Sequence, residues 1–268
     1  MRRRPTTIAL LALGFLSAVA IFSAGANGAE AARQSGRKPR ATTTTMAVTT
    51  TTGPTTTGPT TTVGPTTTVG PTTTVGTTTT TVPAGDPVLL AAGDIASCSS
   101  TGDEATAALL RGRAGTVITL GDNAYNSGTA SEFTSCYAPT WGTEAGRTRP
   151  APGNHDYGTS GAAGYFGYFG PAAGDPAEGY YSYDVGTWHV ISLNSNCSVV
   201  SCAAGSPQEQ WLRADLAAHP AACTAAYWHH PRFSSGSTHG SSTTVQPLWQ
   251  ALYDANADVV LSGHEHNY

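Results

Sequence analysis

Four short apolar runs, each ending at acidic or histidine side chains, constrain this chain more than any other feature of its sequence. Residues 88–92 run into Gly93-Asp94, residues 116–120 into Gly121-Asp122, residues 222–228 into His229-His230, and residues 257–261 lead to Gly263-His264. All four read as strands. Between the first two, residues 103–113 have an acidic start and place Ala105, Leu109 and Leu110 on one side, a helical pattern. Strand, helix and strand at this spacing predict a right-handed parallel crossover. Residues 180–185 and 187–193, turning at Gly186, predict a hairpin. Residues 207–219, with Pro207 in the first turn, predict a helix, and residues 245–255 another. Parallel α/β sheets bind ligands beyond the carboxyl ends of their strands, so Asp94, Asp122, His229 and His264 are expected to meet along one edge.

Little of this reaches the first third of the chain. Residues 41–82 are mostly Thr, with Gly-Pro-Thr-Thr-Thr recurring from Gly53, Gly58, Gly64 and Gly70, and they contain nothing that could form a core. Pro and β-branched Thr favour an extended linker whose hydroxyls could carry O-linked sugar. Ahead of it stand a basic start at Arg2, Arg3 and Arg4, an apolar stretch over residues 8–22, and the small residues Ser23-Ala24-Gly25-Ala26. These are the three regions of a secretory signal, or an anchor if it is not removed. The organisation expected is therefore a signal peptide over 1–29, a Thr/Pro/Gly-rich linker over 30–85 and one catalytic domain over 86–268. The protein is expected to be secreted, or tethered at the cell surface through the linker.

Charge narrows the partners. Seven basic residues precede the Thr tract, which leaves residues 86–268 with six against sixteen acids, a formal charge near −10. A nucleic-acid groove needs a basic face, so no nucleic acid is expected as a main partner. Five cysteines without a Cys-x-x-Cys pair, in an exported chain, point to disulfides rather than thiolate ligands. The preferred pairs are Cys98 with Cys136 and Cys197 with Cys202. Cys223 is left over, or takes a partner from the second pair, or bonds outside the chain.

Carboxylate, amide and imidazole donors favour hard or borderline cations, and the strand ends offer Asp94, Asp122, Asn154, His155, Asp156, His229, His230, His264 and His266. A single Gly-Asp pair after a strand is ordinarily a turn. Gly153-Asn154-His155-Asp156 is more informative, because Pro152 and Gly153 shape a loop that presents three polar side chains no core requires. Gly263-His264-Glu265-His266 is more informative still, because alternate positions of an extended backbone put both imidazoles on one side. His189 and His219 read as structural, and Tyr165, Phe166, Tyr168 and Phe169 as a packing cluster.

These motifs, in this order, resemble the calcineurin-like metallophosphoesterases, and their details resemble the purple acid phosphatase branch. The resemblance covers residues 88–268. Most of the superfamily carries Gly-Asp-x-His first; here the motif is Gly93-Asp94-Ile95-Ala96. The branch substitutes the Tyr of Gly-Asp-x-x-Tyr, and this chain reads Gly121-Asp122-Asn123-Ala124-Tyr125. The resemblance implies a β-sandwich of two sheets flanked by helices in four layers. It assigns Asp94, Tyr125 and His266 to a first metal, Asn154, His229 and His264 to a second, and Asp122 to both. Since the corresponding family motif places its ligand two residues before Pro, His229 takes that role and His230 flanks it.

Two such cations bind a water, lower its pKa and stabilise an in-line displacement at phosphorus. His155, possessing Asp156 as a neighbour that could hold it, is the expected proton donor to the leaving group, and His239 is expected to contact phosphate. A phenolate ligand favours a ferric ion at the first position, with ferrous iron, zinc or manganese at the second. The function expected is an acid-phosphatase-like phosphomonoesterase that uses a metal-bound hydroxide on a small-molecule phosphoester. A phosphodiesterase acting on nucleotides or lipid head groups, and a degenerate cell-wall-associated binding module, are the alternatives. The family continues into further strands after the last motif, so the sequence is expected to be truncated at its C-terminus.

Overall fold

Alternation along a single strand sets the layer order. The computed structural model describes residues 9–13, 20–22 and 87–267, and the expected linker over 30–85 lies outside the described residues. In chain order the elements are β1 (Ala9–Leu13), β2 (Ala20–Phe22), β3 (Val88–Ala92), β4 (Ala96–Ser97), α1 (Gly102–Leu110), β5 (Thr116–Leu120), β6 (Ala124–Tyr125) and α2 (Ala130–Glu132). They continue as β7 (Thr148–Ala151), α3 (Ala163–Phe169), β8 (Tyr181–Val185), β9 (Trp188–Ser192), α4 (Pro207–Ala218), β10 (Cys223–Tyr227), α5 (Gln246–Asp254) and β11 (Val259–Leu261). On β3, Leu90 and Ala92 face a core built with Leu110, Tyr137, Trp141, Tyr165 and Phe169, whereas Leu89 and Ala91 face Val190, Ala225 and Tyr227 of another sheet. That two-residue period is the strand pleat. Beyond the other sheet, Ile191, Ala226 and Trp228 pack on Leu212, Leu248 and Leu252 of α4 and α5. Three apolar cores thus separate four layers, helices outside and two sheets inside, the arrangement that the family resemblance implies.

The first sheet has the order β2-β1-β3-β5-β7 and the second β11-β10-β9-β8; β4 and β6 form a short parallel pair beside them. β3, β5 and β7 run parallel, as do β9, β10 and β11, while β8 turns antiparallel onto β9. The four apolar runs therefore end on two stacked sheets, not on the edge of one. Within the expected signal over 1–29, only Ala9–Leu13 and Ala20–Phe22 are described, and β1 pairs parallel with β3. Among the described residues no helix is long and apolar enough to cross a membrane.

Some boundaries differ from the sequence reading for local reasons. α1 stops at Leu110 because Arg111 turns to extended backbone and Gly112 follows with φ of 75°. β7 is not legible in the sequence because it contains Pro150, which lacks a backbone donor; the strand sits at the sheet edge, where that is tolerated. The aromatic cluster of Tyr165, Phe166 and Phe169 is buried, with Tyr168 packed against it.

Disulfides join Cys98 to Cys136 and Cys197 to Cys202, the pairs preferred from the sequence, and Cys223 is free. They close loops of very different size, with sequence separations of 38 and 5. Loop-closure entropy then predicts losses of about 4 and about 2 kcal/mol when each pair is replaced by Ser. Urea unfolding of Cys98→Ser/Cys136→Ser and Cys197→Ser/Cys202→Ser checks the order; a larger loss for the second pair would contradict it.

Candidate metal centre

Four of the residues expected as ligands have backbone angles that L-residues seldom adopt. Asp94, Asp122, His264 and His266 have φ of 57°, 51°, 75° and 55°, and only Ala162 and Asn256 share that region among the described non-glycine residues. Such conformations persist where surrounding structure holds them, and they concentrate at functional sites. Here each follows a parallel strand and turns its side chain back over the strand end.

The contacts fall into two groups sharing Asp122. In one, the Tyr125 hydroxyl donates to Asp94 Oδ1 at 3.0 Å and lies 3.3 Å from Asp122 Oδ2, while His266 Nε2 is 3.1 Å from that hydroxyl and 3.2 Å from Asp94 Oδ1. In the other, His229 Nε2 is 3.1 Å from Asp122 Oδ2, 3.0 Å from Asn154 Oδ1 and 3.1 Å from His264 Nδ1. Asp122, His229 and His264 present ligand atoms within 4.8 Å of one another. Asp94 Oδ2 also accepts the His264 backbone N–H at 2.9 Å, which ties the two sheets together at the site.

The donor set fits cations. His229 Nδ1 faces the Leu120 carbonyl at 2.8 Å and donates to it, so in the neutral ring Nε2 carries a lone pair. Around that nitrogen stand a carboxylate oxygen, an amide oxygen and a second imidazole nitrogen, so the neutral ring completes a set of lone-pair donors that a cation would accept. Burial pulls the His229 pKa down, but the hydrogen bond and charge of Asp122 outweigh it and raise it to about 9. His264 moves the other way, to about 4, through burial and the neighbouring His229 and His239. Burial, with Asp94 and Asp122 beside it, drives Tyr125 far above its ordinary range. Without a cation, the phenol keeps its proton.

Glycines make room for this geometry. A Cβ on Gly121 would lie 2.6 Å from the Cβ, Cγ and Nδ1 of His229, and one on Gly153 would overlap the backbone N and Oδ1 of Asp122.

His155 stands at the rim. Its backbone N–H donates to Asp122 Oδ1 at 2.8 Å, its Nδ1 lies 2.6 Å from the Asn126 carbonyl, and its Nε2 is 3.9 Å from Asp122 Oδ2. The suggestion that Asp156 holds His155 is corrected. Asp156 is fully buried and accepts instead from Gly153 N at 2.8 Å and Asn123 Nδ2 at 2.9 Å, so its side chain points beneath the loop. Burial and the nearby Asp122 charge push Asp156 up to about 7 against those donors. His230 flanks the site, its ring centroid 4.5 Å from that of His264, and its Nδ1 lies 2.8 Å from Ser195 Oγ. His239 lies over the site, its ring centroid 4.2 Å from that of His264.

Sequence reasoning missed two supports. Glu265 accepts the backbone N–H groups of Thr238, His239 and Gly240 at 2.8, 3.0 and 2.6 Å, and so pins the loop carrying His239. Asn123 bridges Asp156 and the Ala151 carbonyl, joining the second and third motifs. Both lie inside motifs already singled out, and a polar residue alternating with ligands was the available signal.

A four-layer sandwich with carboxylate, phenol, amide and imidazole donors gathered at its paired strand ends defines a metallohydrolase-type centre. The chain belongs to the calcineurin-like phosphoesterase family, whose model matches residues 86–268. A 94-residue stretch is 35% identical to purple acid phosphatase 22 of Arabidopsis thaliana; it is 33% of this chain and 21% of that protein, so the match spans about a fifth of the relative's length. A solved structure of GAP50, described as the anchor in the inner membrane complex of Plasmodium, is similar at 18% identity with a TM-score of 0.46, over 64% of this chain and 65% of that one.

Proposed function

We propose that this protein is an exported phosphomonoesterase of the purple acid phosphatase type, acting on a small-molecule phosphoester. The observation that carries this reading is the Tyr125 hydroxyl, which stands between Asp94, Asp122 and His266 on the side of the site where Ala96 offers no ligand. Asp94, Tyr125 and His266 would hold one ion, Asn154, His229 and His264 the other, and Asp122 both. When bound, such a pair supplies Lewis-acid stabilisation of phosphoryl charge and brings the pKa of a water toward neutrality. A phenolate at the first position favours ferric iron there, with ferrous iron, zinc or manganese at the second.

The chain's own residues do the rest. His155, its Nδ1 fixed on the Asn126 carbonyl, directs Nε2 at the site and donates a proton to the departing alkoxide. His239 contacts the phosphoryl oxygens from the loop held by Glu265. Two disulfides support export, since such bonds persist in oxidising compartments.

The deciding experiment is metal analysis with a visible spectrum on wild type and Tyr125→Phe. Two metals per chain and a visible band absent from the variant are expected; a band that survives in Tyr125→Phe, or protein that takes up no metal, sinks the reading. Chelation should bleach the wild type, because the metal-free phenol is protonated. For His155→Ala, kcat on a monoester with a poor leaving group should fall by about 10² with metal content unchanged. An equal fall on p-nitrophenyl phosphate, whose leaving group needs no proton, would remove the proton-donor role.

A further inference from the structure

A second group of metal-capable side chains stands at the opposite end of the second sheet, and it does not depend on the proposed phosphatase activity. His189 on β9 is buried between two carboxylates: its Nδ1 is 2.8 Å from Asp184 Oδ1 on β8, and its Nε2 is 2.8 Å from Asp215 Oδ2 on α4. Nδ1 of His219, the residue that ends α4, lies 2.9 Å from the Asp215 backbone carbonyl and 3.2 Å from the other Asp215 oxygen, Oδ1. The two imidazoles stack with centroids 4.5 Å apart and planes inclined by 11°. His189 pairs across the sheet with Thr224, five residues before His229. At about 3.3 Å per residue, this group is roughly 16 Å from the candidate catalytic centre.

We propose that His189, Asp215 and His219 bind a divalent transition metal of the zinc class, separate from the pair held at the strand ends. Three observations support this. The three residues present ligand atoms within 4.8 Å of one another, and two imidazoles with one carboxylate are a donor set that zinc accepts. Asp215 is buried and its ion-pair partners are both histidines, so a cation would supply the compensating charge that no lysine or arginine brings among the described residues. Asp184 sits where an outer partner of a ligating histidine belongs: it accepts the Nδ1 proton and leaves Nε2 for the metal. Ser182 Oγ, donating to Asp215 Oδ1 at 2.8 Å, orients the carboxylate in the same way.

The fourth position opens to solvent. A cleft of about 350 Å³ lined by Asp184, Trp188, His219 and Pro220 reaches the group and leaves space for a water or a small anion. The bound ion would fasten the end of α4 to the β8–β9 hairpin, two elements that meet here through side chains alone.

The test is zinc titration of chelator-stripped full-length protein, read as zinc retained per chain after gel filtration. His219 is half exposed, so His219→Ala leaves the core untouched. His219→Ala and Asp215→Asn should each retain one zinc fewer than wild type, and His219→Ala should hydrolyse p-nitrophenyl phosphate at the wild-type rate. Asp184→Asn should keep the ion but bind it about 10- to 100-fold more weakly. An Asp122→Asn variant should keep the extra equivalent, which separates this site from the strand-end centre. Equal zinc retention in wild type, His219→Ala and Asp215→Asn overturns the proposal, as does an anomalous-scattering map at the zinc edge without a peak between His189 and His219.

Discussion

Replacing Asp122 by Asn should abolish phosphoester hydrolysis and strip metal from the protein. Its two oxygens serve both halves of the site: Oδ2 lies 3.1 Å from His229 Nε2 and 3.3 Å from the Tyr125 hydroxyl, and Oδ1 accepts the His155 N–H at 2.8 Å. Asn keeps the shape and loses the charge, and its amide protons must face either the His155 N–H or the ligand cluster. The pKa of Asp122 is held below the usual carboxylate range, because hydrogen bonding and charge from His229 and His155 overcome the effect of burial. The site is thus arranged around an ionised group. Loss of a mere outer partner costs about 10- to 100-fold in metal affinity or activity, so a residue touching both groups should exceed about a hundredfold. Hydrolysis of p-nitrophenyl phosphate and metal content are the measurements. A variant that keeps two metals and activity within about tenfold of wild type would show that the carboxylate is not shared.

Asp156→Ala should produce the largest loss of stability. The carboxylate is fully buried and accepts from the backbone N–H of Gly153, the backbone N–H of Asn123 and the Asn123 side-chain amide. Removing it leaves three buried donors unsatisfied at about 1–3 kcal/mol each, a total of about 5 kcal/mol. The loop presenting Asn154 and His155 would loosen with it, so metal affinity should fall although Asp156 contacts no ion. Urea unfolding of metal-free protein isolates the stability effect from the binding effect. A loss below about 1 kcal/mol would mean that water or a shifted loop satisfies those donors.

The history of individual residues shows how far the sequence reaches. β3 and β5 match the ranges read from their apolar runs, and the β8–β9 hairpin, α4 and α5 fall within a residue or two, because each is governed by a local period or a proline at a helix start. Both disulfides follow the preferred pairing. The expected site residues all lie in or beside one cluster, since polar residues at strand ends have few other reasons to be there. What failed were contacts between distant segments. Asp156 beside His155 in sequence suggested a pair, yet backbone direction sends one side chain under the loop and the other over the site. For His189 and His219, read as structural, nothing in the sequence places Asp184 on one side of His189 and Asp215 on the other.

The sequence by itself therefore determined the main strands and helices, the strand ends and the donor types, all of which depend on periods of two or 3.6 residues and on the chemistry of single side chains. Tertiary structure decided that the strand ends belong to two stacked sheets, that Asp94, Asp122, His264 and His266 adopt left-handed backbone just past those ends, and that Asp122 lies between two groups of side chains. Those outcomes depend on where one sheet rests against another across the Leu89, Ile118, Val190 and Tyr227 core, a distance relation that no local pattern encodes.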